Sequence, residues 1–197
     1  MEKKLIIVSA PPASGKTYVS MKLAENLEHV VYLDKDSLVP LSNVAYKVTG
    51  QQLDREGEFF KKNLRDVEYD VILEMACTAL KYEDLVLINA PFTSEVRDPS
   101  WIDSLRKKLK EEYHARLAVV WVICDPSMVK QRMIDRNSPR DVYKIKNFDT
   151  WFASQDFSIP SSLKIDDDPC SLILFNNSGD KEFEKSMKET VALLEDK

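Results

Sequence analysis

Five short, unbroken apolar runs recur along the chain, and amphipathic segments separate most of them. Runs such as Leu5-Ile6-Ile7-Val8 and Val119-Val120-Trp121-Val122-Ile123 are rich in β-branched residues and show no polar alternation, as strands buried on both faces do. The pattern predicts strands at Leu5–Ser9, Val30–Leu33, Leu85–Ala90, Leu117–Cys124 and Leu172–Phe175. Helical spacing predicts helices at Lys16–Leu27, Ser37–Lys47, Glu56–Asp66, Tyr69–Lys81, Trp101–Tyr113, Pro126–Asn137 and Lys181–Glu195. The long crossovers between the third, fourth and fifth runs are what parallel pairing requires. The expectation is an α/β three-layer sandwich on a mostly parallel five-stranded sheet. One domain spans residues 1–197 in this reading, with a lid or insert around 126–165. Prolines, mixed charge and the aromatic patch Phe148, Trp151, Phe152 and Phe157 make the stretch from Asn137 to Pro169 the least regular.

Composition narrows the chemistry. The four glycines, Gly15, Gly50, Gly57 and Gly179, are too far apart for a Gly-rich dinucleotide loop or a nucleophile elbow. Three dispersed cysteines, Cys77, Cys124 and Cys170, read as reduced thiols of a cytoplasmic protein, and two histidines leave no zinc-protease motif. The N-terminal apolar run is too short for a signal-peptide core, and no run approaches a membrane span. A net charge of −5 argues against a long nucleic acid as partner but leaves room for a local basic site.

That local site begins directly after the first strand. Ala10-Pro11-Pro12-Ala13-Ser14-Gly15-Lys16-Thr17 fits the Walker A phosphate loop, with a strand leading in and a helix leading out. Backbone amides of the loop and the helix N-terminus converge on phosphate oxygens. Gly15 lets the backbone approach the ligand, Lys16 brings a cation to the β- and γ-phosphates, and Thr17 offers its hydroxyl to Mg²⁺. Pro11 and Pro12 stiffen the loop. Ala10 stands where glycine is more usual, which is acceptable provided its φ stays negative.

Further motifs follow in chain order. The second strand ends in Asp34-Lys35-Asp36-Ser37, with Asp36 twenty residues after Lys16. The third strand ends in Asn89, where phosphate-loop ATPases carry a carboxylate. The stretch from Lys130 to Lys146 holds six basic and two acidic residues, with Arg132 and Arg136 one helical turn apart on one face, and Arg140 beyond them. Phe175-Asn176-Asn177-Ser178-Gly179-Asp180 links the last strand to the last helix. Arg106-Lys107-Lys108-Leu109-Lys110 reads as the wet face of a helix, and Asp166-Asp167-Asp168 as a solvated loop, since consecutive carboxylates do not converge on one point.

Together these segments resemble the small P-loop kinases that include zeta-toxin-like kinases, chloramphenicol phosphotransferase, polynucleotide kinase and gluconate kinase. The resemblance implies transfer of the γ-phosphate of ATP, with Mg²⁺, to a hydroxyl of a small-molecule or nucleotide-like acceptor. It implies catalytic roles for Lys16, Asp36, Arg132 and Arg136, with Asp36, or in second place Asp34, addressing the acceptor hydroxyl. Nucleotide contacts are implied for Pro12, Ala13, Ser14, Gly15, Lys16, Thr17, Tyr18, Arg132, Asn177 and Gly179. The acceptor pocket is expected along Ser37–Lys62 and the face of Tyr69–Lys81. A polynucleotide 5'-hydroxyl kinase and a nucleotide-binding regulatory or switch ATPase fit the same loop and stay open at this point.

Overall fold

A computed structural model describes residues 2–137 and 141–195. Five parallel strands, β1 (Lys3–Ser9), β2 (Val30–Asp34), β3 (Leu85–Asn89), β4 (Ala115–Ile123) and β5 (Ile173–Asn176), form one sheet in the order β2-β3-β1-β4-β5. Parallel pairing buries both faces, which is why the strand sequences are continuous apolar runs. Alternate residues feed two separate cores. Leu5, Ile7, Val86, Ile88 and Trp121 pack against Tyr69, Ile72 and Ala76 of α4 (Arg65–Ala79) and Ile102 of α5 (Pro99–Lys108). Ile6, Val8, Leu87, Val120 and Val122 pack against Val19 and Leu23 of α1 (Lys16–Asn26) and Met187 and Leu194 of α9 (Asp180–Leu194). The result is a helix–sheet–helix sandwich in which each of the four strand pairings among the described residues is parallel. Each of these aliphatic side chains, fully buried, contributes about 1.5–3 kcal/mol.

The remaining helices are α2 (Val39–Thr49), α3 (Glu58–Asn63), α6 (Pro126–Arg136), α7 (Val142–Lys146) and α8 (Phe148–Ala153). Three boundaries differ from the periodicity by more than two residues. The helix expected over Glu56–Asp66 stops at Asn63, because Leu64 sits at φ −124°, and α4 starts at Arg65, four residues earlier than expected. The helix expected to run to Tyr113 changes at Leu109 into a π-helical turn, with Leu109 fully buried. The irregular stretch after Asn137 contains two short helices, α7 and α8. Their aromatics pack with Val129 and Met133 of α6 in a third apolar cluster separate from the two sheet cores, including Phe152 stacked on Phe157 with centroids 4.2 Å apart. Ser138, Pro139 and Arg140 lie outside the described residues, and Arg140 with them the weakest of the candidate basic residues.

Two of the bland sequence readings also change. Arg106 is not on the wet face: it turns inward and donates to the Leu163 carbonyl at 2.5 Å. Asp166 and Asp167 are exposed, whereas Asp168 pairs with Arg116 at 2.6 Å and accepts from the Cys170 amide at 3.0 Å. No helix among the described residues is long and apolar enough to cross a membrane.

Candidate active site at the carboxyl edge of the sheet

The sheet register brings the site together. Val8 lies beside Asn89, and Asn89 beside Asp34, so β1, β3 and β2 end side by side. Chain leaving β1 at Ser9 enters the loop Ala10–Gly15 and then α1. Gly15 lies at φ +87°, a left-handed conformation that glycine adopts without cost. A Cβ there would collide with the Asn177 side-chain nitrogen, so the loop is also crowded from above. Ala10 is absent from the positive-φ residues and needs no glycine. The strained alanine is Ala13, at φ +61°. A left-handed alanine costs roughly 1–2 kcal/mol, and glycine loses up to about 1 kcal/mol through the unfolded chain. Ala13→Gly is therefore expected to leave stability unchanged or to raise it by about 1 kcal/mol. A urea titration reads the difference, and a fall of more than that would show that the Ala13 methyl packs usefully against the third cluster.

At the centre stands Asn89, 2% exposed and saturated with partners. Its carbonyl oxygen accepts from the Lys16 ammonium and from the Ser20 hydroxyl at 3.2 Å. Its amide nitrogen donates to Asp34 Oδ2 at 2.8 Å and to Thr17 Oγ1 at 3.4 Å. Thr17 and Asp34 thus present their oxygens against one nitrogen. Asp34 Oδ2 also accepts from the Tyr32 hydroxyl at 3.2 Å, and Asp34 Oδ1 from the Asp36 amide at 2.9 Å. Burial, reinforced by the Asp34 charge, pushes the Tyr32 phenol up to about 12. Burial lowers the Lys16 ammonium to about 8, although Asp34 and Asp36 pull the other way; Lys35 adds to the lowering. Asp36 itself follows in a 3₁₀ turn, with its side chain 72% exposed.

Arg132, from α6, reaches across the phosphate loop. It donates to the Ser14 carbonyl at 2.9 Å, to the Asn177 carbonyl at 2.7 Å and to Cys124 Sγ at 3.1 Å. Asn177 donates to the same Ser14 carbonyl at 2.9 Å. Arg136, one turn later, instead forms a two-pronged pair with the buried Asp141, at 2.8 and 2.7 Å. The two arginines share a face, as the spacing predicts, yet only Arg132 touches the loop.

Two cavities meet at Gly15 and Arg132. One, of about 830 Å³, runs from the phosphate loop past Lys16, Asp36 and Asn89 toward Arg55, Phe60 and Tyr69, with Arg136 also on its wall. The other, of about 580 Å³, lies on the far side of Arg132 and is lined by Tyr18, Met128, Asn177, Gly179 and Phe183. The catalytic candidates Lys16, Asp36, Arg132 and Arg136 and all the expected nucleotide contacts line one cavity or the other, whereas Asp34, the second choice for the acceptor, lines neither and is held by Asn89. Gly179 is extended at φ −167°, so its place there does not depend on being glycine.

Part of the segment expected to hold the acceptor borders the larger cavity. Arg55, Glu56 and Phe60 line the larger cavity, but of the Tyr69–Lys81 face only Tyr69 does; Ile72, Ala76 and Leu80 are consumed by the core. The sequence reading missed Lys35, Arg65, Arg97 and, beneath them, Glu68. Glu68 is 4% exposed and binds Arg55 through both oxygens at 2.9 and 2.6 Å and Lys35 at 2.9 Å. Burial alone would raise this carboxyl, but the hydrogen bonds from Arg55, Ser42 and Lys35 outweigh it and hold Glu68 at about 2. No periodic signal marks these residues, because they sit at a strand end, in a loop and at helix starts. The one available cue is Glu68 itself, which falls at a helical position next to Tyr69 and Ile72 on the buried face.

A family model described as AAA domain matches residues 5–156, well over half of the chain. A search among curated proteins gave no match. Similar folds occur in a sugar kinase from Janibacter sp. HTCC2649 (TM-score 0.55, 14% identity, covering 98% of this chain and 95% of that one). They occur too in a gluconokinase from Sinorhizobium meliloti 1021 (TM-score 0.52, 18% identity, 99% and 93%). A third is shikimate kinase from Bacteroides thetaiotaomicron (TM-score 0.50, 14% identity, 97% and 98%). At these identities the likeness is one of fold, and the fold is the parallel α/β sandwich of small P-loop kinases. With the phosphate loop at the head of its central strand and the family model spanning the sheet from β1 through β4, the chain belongs to the AAA domain family.

Proposed function

We propose that the protein is an ATP-dependent phosphotransferase acting on a hydroxyl of a small molecule. The observation that carries this reading is the junction of two cavities at the phosphate loop: one fits a nucleotide base beyond Arg132, the other an acceptor beside Asp36. Tyr18 and Phe183, with ring centroids 5.3 Å apart, offer the base cavity an aromatic wall. Asn177 and Gly179 form its rim.

The donor set fits Mg²⁺ beside phosphate. Thr17 and Asp34 bring a hydroxyl and a carboxylate, the hard oxygens this ion takes, to one place under Asn89. When bound, the ion neutralises charge on the nucleotide phosphates. Lys16 lies between this place and the loop, and its ammonium is positioned for the β- and γ-oxygens. Arg132 adds a guanidinium from the other side; its pull on the Ser14 and Asn177 carbonyls holds the loop and the base rim in one piece. Arg136 acts at one remove in this scheme, since Asp141 already neutralises it.

Asp36 is the group for the acceptor. Asp34 already accepts from three donors and is set beside Thr17 for the ion, whereas Asp36 faces the larger cavity with its carboxylate exposed. The acceptor hydroxyl gives its proton to the Asp36 carboxylate as its oxygen bonds to the γ-phosphorus. The bond from the γ-phosphorus to the bridging oxygen breaks, and ADP leaves with that electron pair. Asn89 cannot take a proton from water as a carboxylate would, which favours transfer over hydrolysis. Two bridges cross the acceptor cavity, Lys144 to Glu56 at 3.0 Å and Arg97 to Asp156 at 3.3 Å, and each has one end, Lys144 or Asp156, in the 126–165 stretch that we assign as a lid. A cavity spanned in this way suits a small acceptor better than a polynucleotide end.

The deciding experiment is a screen of hydroxyl acceptors with γ-labelled ATP and Mg²⁺. Labelled product supports the kinase. Release of free phosphate alone, or no ATP-dependent rise in melting temperature, removes it. Asp36→Asn is expected to lower kcat on the accepted substrate by about two orders of magnitude, the usual worth of a positioned base, with ATP affinity retained. Full activity in that variant would return the role to Asp34.

A further inference from the structure

The acceptor side of the larger cavity carries a charge arrangement that the transfer chemistry does not use. Most of its cations are matched one to one. Lys144 is held by Glu56, Arg97 by Asp156, and Arg65 by Glu95 at 2.6 Å and the exposed Asp66 at 2.9 Å. At the cavity floor the matching fails. Lys35 and Arg55 both lean on the single carboxylate of Glu68, and Ser42, the other partner, brings no charge. The side chains of Lys35 and Glu68 are 7% and 4% exposed and that of Arg55 26%, so two cations share one carboxylate with little water between them, and Arg55 keeps an edge open to the cavity. Among the described residues the other carboxylate paired with Lys35 is Asp36, at 3.5 Å, but it is 72% exposed and in this scheme turned to the acceptor hydroxyl. Arg55 spends two N–H groups on Glu68 and stacks on Phe60 at 4.3 Å, which fixes its plane and leaves further N–H donors of the fork. Tyr69 forms the adjoining wall.

A buried cation without its own counter-ion is costly, and an anionic ligand group removes that cost while making charge-assisted hydrogen bonds. We infer that the acceptor carries an acidic group, carboxylate or phosphate, seated against Arg55 and Lys35 while its hydroxyl reaches Asp36. This rests on the kinase reading and narrows its substrate class to small hydroxylated anions. The order along the cavity is then fixed: nucleotide, transferred phosphoryl group, hydroxyl, acidic group. Lys35 and Asp36 are neighbours in sequence, so the anchor and the base are locked to one another by one peptide unit.

The test uses matched probes that differ in the acid alone: D-gluconate against D-glucitol, D-glycerate against glycerol, and glycerol 3-phosphate against glycerol. The protein is saturated with Mg²⁺ and a non-hydrolysable ATP analogue, so that the phosphate loop is filled, and melting temperature is followed at constant ionic strength. The acidic member of at least one pair should stabilise the protein, with an apparent affinity about tenfold above its neutral partner. The carboxylate and phosphate pairs tell the two acids apart. Arg55→Met should erase the preference. Arg55→Lys, which keeps the charge without the fork, should reduce it and covers the case in which Arg55→Met does not fold. Equal or better stabilisation by neutral members, no stabilisation by any acid, or an undiminished preference in both variants overturns the inference. Stabilisation by the ATP analogue alone is read in the same experiment. If it is present while the acid preference is missing, only this inference falls; if it is missing, the kinase reading falls first.

Discussion

Lys16→Ala is expected to reduce phosphoryl transfer by about three orders of magnitude, the scale set by removing one preorganised charge from a phosphoryl or oxyanion site. Lys16 directly follows Gly15 at the end of the loop, and it is already desolvated: burial takes its ammonium to about 8. A desolvated charge aimed at developing negative charge is worth more than a solvated one, because little reorganisation is needed when the reaction occurs. The same burial gives the wild type a pH signature. The protonated form binds phosphate, so nucleotide affinity in the free enzyme should fall as pH rises through about 8. Bound phosphates favour the ammonium and shift this loss to higher pH in the complex. Lys16→Ala should show neither the activity nor that alkaline limb. Isothermal titration with ATP across pH, on both proteins, checks the pair of statements. Asn89 is untouched in the variant, so Asp34 and Thr17 keep their partner and the fold should melt normally.

Glu68→Gln should have the largest effect on stability, about 3 kcal/mol or more. The neutral amide leaves Lys35 and Arg55 side by side with only the exposed Asp36 carboxylate, 3.5 Å from Lys35, as counter-charge. Breaking one partner of a buried ion cluster is far more costly than the cluster is stabilising, since the orphaned charges stay desolvated. The wild type carries the corresponding acid limb. The Glu68 carboxyl ordinarily titrates near 4.5 and is held at about 2 in the fold. Its folded value is depressed, so its contribution is complete above about 4.5 and is lost as pH falls toward about 2. Urea titrations of both proteins between neutral and acid pH read this directly. Their stabilities should converge in that window, and parallel curves would show that Glu68 is not the titrating group. Because Glu68 holds Lys35 and Arg55 on the wall of the larger cavity, the variant should, on the proposed reading, also lose acceptor binding before it loses ATP binding.

Much of the fold is legible in the chain because parallel strands buried on both faces cannot hide their composition. All five strands fall within two residues of the apolar runs. Boundaries were lost where local geometry broke a continuing pattern: at Leu64, whose φ ends one helix and starts the next, and at Leu109, where the turn widens without changing the apolar spacing. The two short helices α7 and α8 carry no long period to detect. At the site, the phosphate loop could be read residue by residue, since its function lies in a contiguous backbone. Even so, the glycine question was attached to Ala10, whereas the left-handed alanine is Ala13; composition reports which glycine is missing but not which φ is positive.

The sequence by itself determined the parallel sandwich, the phosphate loop at its head, and the pair of basic residues one turn apart on α6. Those features are local, held within one strand, one loop or one helical face. Only the tertiary structure decided how they are used. Sheet register set Asn89 between Lys16, Thr17 and Asp34, residues separated by as many as 73 positions in the chain. Packing sent Arg132 to the loop and Arg136 to Asp141. The crossing of α4 beneath the end of β2 placed two cations on one buried carboxylate, Glu68, at the floor of the larger cavity. Contacts of that kind depend on which surfaces the sheet brings together, and no period along the chain records them.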